Sequence, residues 1–245
     1  MIETAVATPD GRAGAQLLLP SGTGPWAGVL FYMDGLGIRP GLVGMAHRLA
    51  EEGYAVLLPD LYYRCGDYAP FDPATALSDP AERRRLDTLF RSIDGHAVMR
   101  DTGACLDFLA GRPDVRRGPV GCVGYCMGGG HALLAAARYP ERVGAAASFH
   151  AANLANDSEQ SPHRFADCIR GEIYVGVAEK DPWLAEGETE RLRAALEEAR
   201  VRNTIEIYAG TQHGFAVPDL PVFDPAAAAA HWQRLLALFD RTLRR

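Results

Sequence analysis

The chain has 245 residues, enough for one large α/β unit with a buried core, and 48% of them are hydrophobic, which excludes disorder as the default reading. A formal net charge of −6 argues against a nucleic-acid partner. The opening MIETAVATPDGR lacks a basic stretch followed by an apolar one, and no apolar run is clean enough to span a bilayer, so a cytoplasmic protein with no membrane partner is expected.

Two short alternating segments open the chain, 2–8 and 13–19, with Asp10-Gly11 between them as a hairpin turn. Near-continuous apolar runs then recur at 28–33, 54–60, 120–125, 143–150, 172–181 and 204–210, as suits strands covered on both faces. Helical patterns separate most of them, at 42–52, 80–109, 127–138, 187–200 and 225–243. In the first, Leu42, Met45, Ala46, Leu49 and Ala50 keep a helical spacing and Gly53 closes the segment; in the last, Trp232, Leu235, Leu236 and Phe239 form one stripe. Strands alternating with helices, without repeat or linker, imply a single α/β domain over 1–245 with a mostly parallel central sheet and helices on both faces. The least regular region, 62–80, carries Gly66, Pro70, Pro73 and Pro80 among aromatics; such a segment covers a binding site or is an ordinary surface loop.

The five cysteines, Cys65, Cys105, Cys122, Cys126 and Cys168, are scattered, with no C-x-x-C pair and no His/Cys cluster. They suit reduced thiols and give no support to a metal or other cofactor. One is placed differently from the rest. In VGCVGYCMGGGHALLAAA, 120–137, a strand pattern ends at Gly124 and a helical one begins after Cys126. Gly124-Tyr125-Cys126-Met127-Gly128 therefore reads as the strand–turn–helix nucleophile elbow of α/β-hydrolases with cysteine in place of serine. Small residues are needed two positions either side because the turn is sharp. The free N–H groups and positive dipole end of the helix favour a thiolate at Cys126, and the N–H of Met127 faces a developing oxyanion.

In this fold the nucleophile is followed by an acid and then a histidine. EIYVGVAEKDPW supplies Asp181 after a later strand, with Glu179 as the local competitor, and TIEIYAGTQHGF places His213 after the last strand. His213 would take the thiol proton while Asp181 fixes its tautomer. His150, at the end of the strand after the nucleophile helix, and Tyr125, beside the cysteine, are candidates for substrate contact.

Together, YMDGLGIRP (32–40), GYAVLLPDLYYR (53–64), VGYCMGG (123–129), EKDPW (179–183) and YAGTQHGF (208–215) resemble the dienelactone hydrolase family, over about Gly28 to the C-terminal helix. The resemblance implies an α/β-hydrolase fold, a Cys126–His213–Asp181 triad, a small ester or lactone substrate and Gly35 as second oxyanion donor. It also implies a carboxylate that holds the resting thiol; the family's glutamate is here Asp34, one methylene shorter. Two family arginines grip a substrate carboxylate. Arg85 matches one, with Arg83 and Arg84 as alternatives, and Val217 stands where the other is expected, which shifts the expected substrate away from charged lactones. The competing function is a hydrolase-fold protein with a redox-reactive or ligand-binding thiol and little acyl hydrolysis.

Overall fold

The computed structural model describes residues 1–244. Eight strands form one sheet: β1 (Ile2–Thr8), β2 (Gly11–Leu18), β3 (Ala27–Tyr32), β4 (Tyr54–Pro59), β5 (Val120–Tyr125), β6 (Val143–Phe149), β7 (Glu172–Lys180) and β8 (Asn203–Gln212). Their order is β1-β2-β4-β3-β5-β6-β7-β8. The hairpin at Asp10-Gly11 forms, with Thr8 paired to Gly11, and β2 joins β4 antiparallel; all later pairings are parallel. Every residue of β3, β4 and β5 is buried, as their unbroken apolar runs require when helices cover both faces. The order reverses where β3 is flanked by β4 and β5, and there the carboxyl ends of neighbouring strands leave a crevice.

Six α-helices accompany the strands, five between them and the last after β8: α1 (Pro40–Glu51), α2 (Pro80–Ser92), α3 (Gly95–Ala110), α4 (Met127–Arg138), α5 (Glu188–Glu198) and α6 (Pro225–Leu243). The long helix read over 80–109 is two. Asp94 has an extended backbone and its carboxylate accepts from the N–H groups of His96 and Ala97, so it caps a second helix and interrupts the first. Asp79 and Asp224 cap α2 and α6 in the same way, each ahead of a proline at the first helical position. Among the described residues, no helix is long and apolar enough to cross a membrane.

Candidate active site

Cys126 sits between β5 and α4 with φ 54° and ψ −121°, a backbone region that non-glycine residues occupy at a cost. The surrounding glycines make this possible. A Cβ on Gly124 would run into the Gly128 carbonyl, and one on Gly128 would meet the carbonyls of Tyr32 and Met33 at 2.6 and 2.5 Å. The N–H of Cys126 donates to the Phe149 carbonyl at 3.0 Å and its carbonyl accepts from Gly129 at 3.0 Å, so the elbow is tied to β6 on one side and to α4 on the other. Met127, the first residue of α4, lines the cavity, and its N–H lies at the helix start, where no residue four positions back within the helix can accept from it.

His213 lies in the loop after β8. Its Nδ1 is 2.6 Å from Oδ2 of Asp181, and both side chains are almost wholly buried. The other Asp181 oxygen accepts from the N–H of Trp183 at 3.0 Å, which fixes the carboxylate. The Trp183 ring stands edge-on to His213 at 4.3 Å between centroids. Glu179 turns instead to the N–H of Gly210 at 2.8 Å. Burial alone would lower the pKa of His213; hydrogen bonding to Asp181 and the neighbouring Cys126 thiol outweigh it and hold the imidazole at about 9. Its Nε2 is buried without a completed hydrogen bond.

Cys126, His213, Gly35 and Met127 open on one cavity of about 1230 Å³. Leu77, Leu86, Phe90 and Leu134 give it an apolar wall, and Leu220, Pro221 and Val222 another. The irregular region before α2 contributes Pro73, Ala74, Leu77 and Ser78, so it covers the site. His150 lines the same cavity.

A model of the dienelactone hydrolase family matches residues 14–243. The chain belongs to the dienelactone hydrolase family. Membership makes it an α/β-hydrolase and a hydrolase of the dienelactone hydrolase kind. A carboxymethylenebutenolidase of Rhodococcus opacus is 29% identical over 242 residues, which cover 96% of this chain and 89% of that protein. Another from Pseudomonas sp. strain P51 is 36% identical over 128 residues, 52% of this chain and 51% of that protein. Among solved structures, a dienelactone hydrolase-like promiscuous phosphotriesterase from metagenomic libraries superposes with a TM-score of 0.79 at 23% identity, covering 98% of each chain. An acylaminoacyl peptidase of Pyrococcus horikoshii does so with 0.75 at 13% identity, covering all of this chain and 42% of that one; these two similarities bear on the fold.

Within the family pattern, four expectations change. Asp34 does line the cavity, but its carboxylate does not hold the thiol. Oδ1 accepts from Arg39 at 2.6 Å and from the N–H of Leu36 at 2.9 Å, and Oδ2 accepts from Arg39 at 2.8 Å. Arg39 also reaches Asp219 at 3.0 Å, in the loop after His213. Burial would lower the pKa of this guanidinium, and the two carboxylates more than offset that, so it stays charged. A five-residue step across a glycine turn, from Asp34 to Arg39, is the sequence signal that could have found this pair.

Arg85 is the second correction. Its guanidinium is held by Glu82 at 2.6 Å and the Ala69 carbonyl at 2.7 Å, and it stacks on Phe71, whereas Arg83 faces the cavity. Tyr125 is the third. It is fully buried, and its hydroxyl lies 2.8 Å from Nε2 of His231 among Phe31 and Phe149, so it packs the core behind the elbow. Val217 is the fourth: it is buried away from the cavity, and Leu220–Val222 supply that wall.

Proposed function

We propose that the protein hydrolyses small, uncharged esters or lactones through a thioester on Cys126, with His213 and Asp181 as base and orienter. The observation that carries this reading is the placement of His213, clamped by Asp181 at 2.6 Å and bordering the thiol of a strained elbow. The Cys126 thiolate attacks the acyl carbon, and the oxyanion meets the N–H groups of Met127 and Gly35. Imidazolium His213 protonates the leaving alkoxide. Neutral His213 then takes a proton from water, which attacks the thioester carbon; the C–S bond breaks and the acid leaves. Lactone chemistry comes from the relatives, which are named carboxymethylenebutenolidases, a butenolide being an unsaturated lactone. Acid release from a panel of esters and lactones tests the reading. Turnover that survives in Cys126→Ala, with no acyl adduct on Cys126 in the intact mass of the native protein, would refute it.

Charge selectivity follows from the cavity wall. Its lining carries Arg83 as the one arginine or lysine among the described residues, beside Asp34 and Asp87. Arg83 is exposed, so water screens its attraction for a carboxylate. Neutral substrates are expected to outrun matched carboxylated ones. Arg83→Ala should leave the neutral rate unchanged and lower the carboxylated rate by less than about tenfold, or about 1 kcal/mol, as for an exposed pair. A strong preference for the carboxylate that Arg83→Ala does not touch would place the anion contact elsewhere.

The pH dependence has a definite sign. Acylation needs His213 protonated, and its pKa is raised from 6.5 to about 9. The proton is therefore present below about 9 and lost above it, so kcat/KM, which reports the free enzyme, should fall as pH rises through about 9. Removing the Asp181 charge withdraws a leading cause of the elevation, so Asp181→Asn should move this limb to lower pH. A limb that stays put in Asp181→Asn would assign it to another group.

A further inference from the structure

His150 follows β6 directly, and its backbone is held by an N–H bond to the Gly176 carbonyl at 2.8 Å. Its φ is 40°, in the left-handed region where a residue other than glycine is strained. His150 is 1% exposed, and neither ring nitrogen has a hydrogen-bond partner. Buried imidazole nitrogens ordinarily find partners. The ring is packed edge-on against Phe215 at 5.5 Å and tilted against Tyr125 at 5.8 Å, and it lines the cavity that holds Cys126. Its third neighbour is His213, 5.2 Å away between ring centres, whose Nε2 is likewise buried and without a completed bond.

From this juxtaposition, and resting on the Cys126–His213 reading above, we infer that His150 is a positioning residue that holds the hydrolytic water against Nε2 of His213. One water making two hydrogen bonds of about 2.8–3.0 Å spans up to about 5.5–6 Å, a reach that suits nitrogens on rings this close. A bound water needs at least two polar partners, and the two imidazoles provide them. Burial and the neighbouring His213 charge hold His150 neutral, so one nitrogen donates and the other accepts, and it does not repel the imidazolium that forms. In the step itself, the water oxygen bonds to the thioester carbon and its proton passes to Nε2 of His213. The tetrahedral species then expels the Cys126 thiolate as the C–S bond breaks, and the carboxylic acid is released. His150 only orients; it neither gains nor loses a proton overall.

The inference separates the two halves of the reaction. With p-nitrophenyl acetate, His150→Phe keeps the ring's packing among Phe215 and Tyr125 and removes both nitrogens. It should release one equivalent of nitrophenol per chain at close to the native burst rate. Steady-state turnover should then fall by about a hundredfold, with an acetyl adduct persisting on Cys126 in the intact mass. His150→Asn tolerates the left-handed backbone and keeps a donor and an acceptor, so it should recover part of the lost turnover. Deacylation at the native rate in His150→Phe overturns the proposal, and so does an equal fall in burst and steady-state rates. An adduct that still forms in the Cys126→Ala/His150→Phe double variant would instead remove the nucleophile on which the inference rests.

Discussion

Cys126→Ala should abolish thioester formation and lower kcat/KM by about 10⁴- to 10⁶-fold while leaving the fold intact. The size follows from the division of labour at the site. Alanine leaves the N–H groups of Met127 and Gly35 and the cavity walls in place, so residual catalysis comes from binding and oxyanion stabilisation alone. His213→Ala should cost a similar amount, because a thiol without its base is mostly inert and a leaving alkoxide without its acid does not depart. The two losses should not add: the double variant should be no slower than the worse single one. Asp181→Asn is expected to cost about 10⁴-fold, since an amide can hold the wrong imidazole tautomer at the 2.6 Å contact. The histidine variant should melt lower than the native protein while still folding, because His213→Ala leaves the buried Asp181 carboxylate with the Trp183 N–H but without its counter-charge. Steady-state kinetics on a turned-over ester, with a melting curve for each variant, are the measurement. Activity kept in both Cys126→Ala and His213→Ala would end the triad reading.

The sequence singles out Cys126, His213 and Asp181 because the chemistry proposed for them is tied to local pattern. The elbow needs glycines two positions either side of Cys126, and the steric reason for them is the close approach of Gly124 to Gly128 and of Gly128 to the end of β3. Asp181 and His213 each directly follow a strand, β7 with its buried run and β8 with Ile205 and Ile207 in alternation ahead of Tyr208. What stayed hidden depends on direction rather than spacing. Arg83 and Arg85 sit two apart on α2, about 200° around the helix, so only one can face the cavity, and the fold chooses Arg83 by giving Arg85 to Glu82 and Ala69. Tyr125 flanks the cysteine in sequence, yet adjacent positions on a strand point to opposite faces, and its ring goes to the core and His231. The break at 93–94 was masked because the residues on both sides keep a helical pattern; the Asp94 cap is a side-chain to backbone contact that periodicity does not register.

The largest effect on stability should come from Arg39→Met. The Arg39 and Asp34 side chains are 2% and 5% exposed, and their two-pronged contact takes two charges out of water. Methionine fills much the same space but leaves Asp34 buried without its counter-charge and deprives Asp219 of a partner. Breaking one side of such a pair typically costs about 3–5 kcal/mol, a fall in melting temperature of about 6–20 °C for a chain this long. Replacing the acid as well, in Arg39→Met/Asp34→Asn, should recover much of the loss, because the penalty lies in the orphaned carboxylate more than in the lost attraction. The same experiment reports on the thiol. In the native protein both Asp34 oxygens are occupied by Arg39 and Leu36 and do not hold the thiol, so Cys126 should be alkylated by iodoacetamide without substrate present. Freed from Arg39, the Asp34 carboxylate on the cavity wall would repel a thiolate, so labelling of Cys126 should slow in Arg39→Met and recover in the double variant. A single variant that melts and labels like the native protein would show that the Asp34–Arg39 pair neither stabilises the fold nor shields the nucleophile.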